Sequence, residues 1–301
     1  MKKKIDYFIF IILIIVSGFS FLYWYKEVSN RVGVLYSTLD SSYKLETKSY
    51  NLKTYTFNEN SISEKEFKYM KSKGINFIAG PIYSENGYKI FPFLEKYDFL
   101  SFSPTISSDS LLKSTERIFT LTPSNEMQID AILNFLKKRN ISNVLIVIDP
   151  FNQTYSKEYL RILDQINGSY IYYYGLNSII KTNFDYNKYD AILITTASDA
   201  AVGLLSFLEQ NYNGIFILTD SALDVGLTKF KGNKSKVYLV SFTNNPFNET
   251  LDLIYETLNL ISSHKFLSAQ QAIRFFTNNK FIFNQKRTLN REIKIVKLSD
   301  F

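Results

Sequence analysis

The chain has 301 residues, 46% of them hydrophobic, which is room for about two domains with full cores. It has no cysteine, which excludes disulfides, thiolate metal sites, thiol catalysis and a lipidated-cysteine anchor, and its single histidine, His264, argues against His-based triads and multi-histidine metal sites. Of the net charge of +7, three units are Lys2, Lys3 and Lys4; the rest is interspersed with Asp and Glu and reads as solvated surface, with no nucleic-acid motif and no nucleic-acid partner.

Residues 2–25 read KKKIDYFIFIILIIVSGFSFLYWY, a basic start before an apolar run from Tyr7 to Tyr25. Two readings stand side by side for residues 1–26. As a signal peptide, the apolar stretch Phe8–Val16 precedes small residues at Gly18 and Ser20. As a transmembrane anchor, residues 7–25 approach the roughly 20 residues a bilayer needs, with Tyr23, Trp24 and Tyr25 as an aromatic belt. Both place everything after Lys26 outside the cytoplasm.

Arg31–Tyr36 is the first strand and Asn51–Phe57 alternates as a second. Ser61 with Glu64 three residues on predicts a capping box for a helix ending at Gly74. Phe77–Ala79, then a helical spacing of Tyr88, Phe91 and Leu94, then Phe99–Phe102 make one βαβ unit with hydroxyl-rich strand ends. Ser124 caps the next helix, with Ile129, Ile132, Leu133 and Leu136 on its buried side. Asn143–Ile148 is continuous and β-branched, a strand buried on both faces. A helix through Tyr159 and Leu163, strands at Ser169–Tyr174, Asp190–Ile194, Gly214–Leu218 and Val237–Val240, and helices at 247–262 and 268–278 follow. Two strands, Phe281–Phe283 and Glu292–Val296, close the chain around a polar turn. Strands alternating with helices over most of the length predict an α/β fold with doubly wound, mainly parallel sheets, in two similar halves meeting near Thr122-Pro123.

In such folds ligands sit beyond the carboxyl ends of the strands. Those ends carry Ser84, Thr105, Ser107, Tyr155 and Asp220. Ser84 opens a helix, where free N–H groups and the helix dipole favour an anion; Asp220 suits an ammonium. A zwitterion such as an amino acid would satisfy both. Each residue also has a plain structural use: a Ser after a strand caps a helix, Asp220 can do the same, and Tyr155 can be packing. The functional reading rests on their falling at strand ends together. No Walker loop, GxGxxG, GxSxG or HExxH occurs, so neither catalysis nor a cofactor is expected.

In order, the pieces Ala79-Gly80-Pro81-x-x-Ser84, Phe91-Pro92-x-Leu94-Glu95-Lys96, Phe102-Ser103-Pro104-x-x-Ser107, Ile118-Phe119-x-x-x-Pro123-Ser124 and Ile148-Asp149 with Tyr155 resemble the type I periplasmic binding proteins. The likeness is to their leucine/isoleucine/valine-binding branch, which serves ABC transporters. It implies two lobes joined by crossover strands, residues 30–121 plus 247–278 and residues 124–243 plus 281–301. It further implies that Ser84, Thr105 and Ser107 grip an amino-acid ligand, with Tyr155 and Asp220 facing it from the second lobe. The chain departs from the family in the short Leu39–Tyr50 link between its first strands and in Ile106, bulkier than the residue usual there.

The leading expectation is an extracytoplasmic solute-binding protein that presents a small polar, amino-acid-like ligand to an ABC permease. The alternative is a membrane-anchored sensory or protein-interaction module on the same fold. An α/β enzyme ranks third. A DNA-binding regulator of related fold is disfavoured, because an apolar segment stands where its DNA-binding helices would be.

Overall fold

The computed structural model describes residues 10–22, 30–37, 50–177, 185–266 and 268–301. Lys2–Lys4, Tyr23–Tyr25 and the 39–49 link lie outside the described residues. Residues 10–22 are helical (α1), with their large apolar side chains exposed. Among the described residues no helix is long and apolar enough to cross a membrane.

The first sheet contains β1 (Arg31–Tyr36), β2 (Lys53–Asn58), β3 (Phe77–Ala79), β4 (Leu100–Ser103) and β5 (Ile118–Thr120), ordered β2-β1-β3-β4-β5 and parallel throughout. The strand period of two divides its side chains between two faces. Ile78 of β3 packs on α2 (Glu64–Ser72) and α3 (Ser84–Lys96), among Phe67, Met70, Ile90 and Leu94. Phe77 and Ala79 point the other way, towards Leu253, Leu258, Ala272 and Phe276 of α8 (Glu249–Ser263) and α9 (Ala269–Asn278). Gly33 lets α2 sit close, because a Cβ there would lie 2.8 Å from the Met70 sulfur. His264 ends α8, its Nδ1 3.1 Å from the Leu260 carbonyl oxygen and its ring stacked on Phe266.

The second sheet holds β6 (Asn143–Ile148), β7 (Asn167–Tyr172), β8 (Ala191–Ile194), β9 (Ile215–Leu218), β10 (Val237–Ser241) and β11 (Lys294–Lys297), ordered β11-β10-β9-β8-β6-β7. Only β11 runs antiparallel. One face packs on α5 (Asn125–Lys138) and on Tyr155, Tyr159 and Ile162; the other packs on α7 (Ser198–Leu208). Between them lie α4 (Asp109–Ser114), after β4, and α6 (Gln153–Ser156), after β6.

Three expectations shift. The capping box is Ser63 with Glu66, whose carboxylate accepts from the Ser63 N–H at 2.8 Å. Glu64 is drawn instead to Lys96 and the Tyr97 hydroxyl, at 2.6 and 2.5 Å. The helix expected through Tyr159 is four residues of α6 followed by a 3-10 segment, Lys157–Asp164. The closing strands do not pair with each other: Phe283 makes an isolated bridge to Leu289, while β11 joins the edge of β10. The turn between them spends its backbone groups on β5, where the Thr120 N–H donates to Arg287 O and Leu289 N–H to Thr120 O, both at 2.9 Å.

Candidate functional site

The carboxyl ends of both sheets border one cavity of about 250 Å³. From the first sheet come Ser84, the opening residue of α3, and Thr105, after β4; from the second come Tyr155, in α6, and Asp220, after β9. Ser107 is not in the wall. It is fully buried, its hydroxyl lacks a hydrogen bond of ordinary length, and it lies near enough to Asp220 to favour that carboxylate's charge. Larger hollows of about 550 and 730 Å³ exist elsewhere, but they are more open to solvent. The strand-end cavity gathers buried polar groups from both sheets.

Asp220 is held from below. The Tyr155 hydroxyl donates to Oδ1 at 2.5 Å and Gln128 Nε2 donates to Oδ2 at 2.9 Å. Tyr159 in turn donates to Gln128 Oε1 at 3.0 Å and lies 3.1 Å from the Tyr155 hydroxyl. Burial pushes the Asp220 carboxyl above its ordinary range, and the Tyr155 and Gln128 bonds pull against that rise. Tyr155 is pushed well above the usual phenol range, first by burial and then by the neighbouring Asp220 charge. The Ser221 backbone N–H and the Ser107 hydroxyl also favour the charged form of Asp220.

Sequence reasoning missed two other acids here. Glu249 opens α8 in the cavity wall, accepting from the Thr243 hydroxyl at 2.7 Å. Burial, with the nearby Asp220 charge, raises it to about 8. Glu59, after β2, is 2% exposed and reaches the start of α3. It accepts from the Ile82 N–H at 2.6 Å, the Tyr83 N–H at 3.3 Å and the Asn86 side chain at 3.0 Å. Burial raises Glu59 to about 7 against the pull of these bonds. The only sequence signal for Glu59 is an acid directly after a strand, and for Glu249 an acid in the first turn of a helix.

Two hydroxyls of the cavity wall turn their protons inward, that of Thr105, expected to face a ligand, and that of Ser221, which was not. Thr105 donates to the Ile82 carbonyl at 2.7 Å, and Ser221 to the Thr195 carbonyl at 3.0 Å. Ser84, 2% exposed, makes no hydrogen bond through its hydroxyl among the described residues. The sheets are also tied to each other beside the cavity. Asn152 Oδ1 accepts from the Glu85 N–H at 3.2 Å, and Thr154 donates its hydroxyl to Glu85 Oε2 at 2.7 Å. Glu158 accepts from the Asp109 N–H at 2.9 Å, the Ser108 hydroxyl at 2.8 Å and Asn125 Nδ2 at 2.8 Å. Ser110 adds its N–H at 2.8 Å and its hydroxyl at 2.6 Å.

Two parallel sheets with strand ends meeting at a shared cavity have many counterparts among solved structures. The leucine-binding protein LivK of Thermotoga maritima superposes with a TM-score of 0.73 at 10% identity, over 89% of this chain and 97% of that one. The fold is that of the type I periplasmic binding proteins. LivJ of Streptococcus pneumoniae, a branched-chain amino acid transporter substrate-binding protein in complex with isoleucine, gives 0.70 at 12% identity over 89% and 99%. A solute-binding protein of an ABC transporter from Rhodopseudomonas palustris, in complex with p-hydroxybenzoic acid, gives 0.68 at 9% identity over 89% and 92%. No family model matches the sequence, and no curated protein matches it.

Proposed function

We propose that the protein is an extracytoplasmic solute-binding component that captures a small polar, amino-group-bearing solute in the cavity between its two sheets and presents it to an ABC permease. The observation that carries this is the convergence of Ser84 and Thr105 from one sheet with Tyr155 and Asp220 from the other on one cavity. In this reading the sheets belong to two lobes, residues 30–121 plus 247–278 and residues 124–243 plus 281–301, that close over the solute. Residues 7–25 target the chain to the membrane or hold it there. The role is binding rather than turnover, and it uses no cofactor. The leucine- and isoleucine-binding neighbours support an amino-acid-like solute.

The test is a melting scan of the full chain against amino acids, amines and small carboxylates. A ligand at a hundred times its Kd stabilises by about 2.7 kcal/mol, a shift of several degrees. Asp220→Ala and Ser84→Ala abolish that shift. A panel with no shift at all refutes the proposal.

A second reading, a membrane-tethered sensory or interaction module, is favoured by the self-contained contacts of Glu59, Glu85 and Glu158, which tie the cavity rim without any solute. Co-purification with a kinase or envelope enzyme, and not with a permease, selects it.

A further inference from the structure

We infer that the cavity holds its solute through an ammonium group alone, because the chain's own Glu59 occupies the seat that a solute carboxylate would take; the ligand class is small primary amines lacking a free carboxylate. This deepens the solute-binding reading and rests on it.

Four observations converge. First, the N-terminus of α3, a helix of 13 residues, is already capped by an internal acid. The Ile82 and Tyr83 N–H groups go to Glu59 and the Glu85 N–H goes to Asn152. A solute carboxylate finds these donors spent and a carboxyl group in their place. Second, proton counting turns the hydroxyls into acceptors. Thr105 and Ser221 have given their protons to backbone carbonyls, so they offer lone pairs to the cavity. Third, among the described residues the wall contains Asp199, Asp220, Asp224 and Glu249 and no lysine, arginine or histidine. Asp199 has a lysine partner outside, Lys229, at 2.8 Å in an exposed pair that solvent screens. Fourth, Ser84 is 2% exposed and lines the cavity, and its hydroxyl makes no hydrogen bond among the described residues, which leaves it open to a guest.

An ammonium group has three donors and no acceptor, and it suits a wall whose hydroxyls and carboxyl groups accept. Ile82, Phe242, Ala197 and Ala200 supply an apolar wall for a short alkyl chain. Ser84 and the Asn152 amide remain for one uncharged acceptor on the solute, such as a carbonyl or hydroxyl.

Four compounds sharing one side chain separate the charges: L-leucine, leucinamide, 3-methylbutylamine and 4-methylpentanoate. Titration calorimetry with the full chain is expected to show leucinamide and 3-methylbutylamine binding at least about tenfold more tightly than leucine, a factor one charged contact supplies, with 4-methylpentanoate silent. Glu59→Ala, checked for folding by circular dichroism, is expected to gain affinity for leucine. Asp220→Asn is expected to lose the amines. Leucine binding as tightly as the amines, or 4-methylpentanoate binding at all, overturns the inference and leaves the solute-binding reading standing. Silence from all four compounds and from a wider panel overturns both.

Discussion

Glu158 is a single carboxylate with five donors around it, and replacing it with alanine tests how the two sheets are held together. The donors divide into two kinds. Those of Ser110 are exposed and turn to water at little cost. The Asp109 N–H belongs to a residue 4% exposed and is left without its acceptor, whereas Asn125 Nδ2, on a fully buried residue, keeps its bond to the Tyr155 carbonyl at 3.2 Å. An abandoned buried donor costs about 1–3 kcal/mol. Water entering the vacated volume recovers part of this, so Glu158→Ala should lose about 1–2 kcal/mol of unfolding free energy. Urea unfolding followed by circular dichroism measures it. Glu158→Gln is the sharper control. Its amide would turn an NH2 towards donors on one side, so it should lose nearly as much as alanine although its shape is unchanged. A glutamine variant as stable as the parent, or an alanine variant within about 0.5 kcal/mol of it, refutes the view that this carboxylate ties α4 and α5 to the segment after β6.

Two further expectations concern stability. Glu59 and Glu249 are raised to about 7 and about 8, so the folded chain holds two protons that the unfolded chain releases at the ordinary carboxylate value of 4.5. Their stabilising contribution is full below that value and is lost as pH rises through about 7 and then about 8. Urea midpoints therefore fall from mildly acid to mildly alkaline pH by an amount worth a few kcal/mol, and Glu249→Gln flattens the upper part of the fall; a midpoint that climbs with pH over that span contradicts the assignment. Phe276 stands edge-on to Phe102 and Phe283, with ring centres 5.3 Å away in both cases, and is 1% exposed. Phe276→Ala should cost about 3–5 kcal/mol in the same assay, and a cost below about 1 kcal/mol would mean that the site collapses around the gap.

Much of the fold could be read from the sequence because its strands are apolar runs at even intervals. Asn143–Ile148 is unmistakable, and it lies inside the second sheet between β8 and β7. β5 was harder: three residues, Ile118–Thr120, carry no periodicity. Of the two closing strands, the second is present as β11, but Phe281–Phe283 is not a strand, because local alternation cannot reveal that Thr120, far upstream, takes the turn's hydrogen bonds. The site divides along the same line. That Ser84, Thr105, Tyr155 and Asp220 stand at strand ends follows from position alone. The direction of the Thr105 proton depends on the Ile82 carbonyl 23 residues away, and the state of the α3 terminus on a glutamate 23 residues before Ile82. Donor and acceptor roles are set by partners that only folding brings together.

The covering of the first sheet by α8 and α9 also sets an order of events. All five strands of that sheet precede Leu121, yet one whole face of it is closed by Leu253, Leu258, Phe276 and Phe283. The second sheet has its core strands and its covering helices within residues 125–241, lacking only an edge strand. A chain emerging from its amino end therefore completes its later half first. The earlier half, with its phenylalanines bare, waits for the last helices and is the part most exposed to chaperones and to misassociation during synthesis.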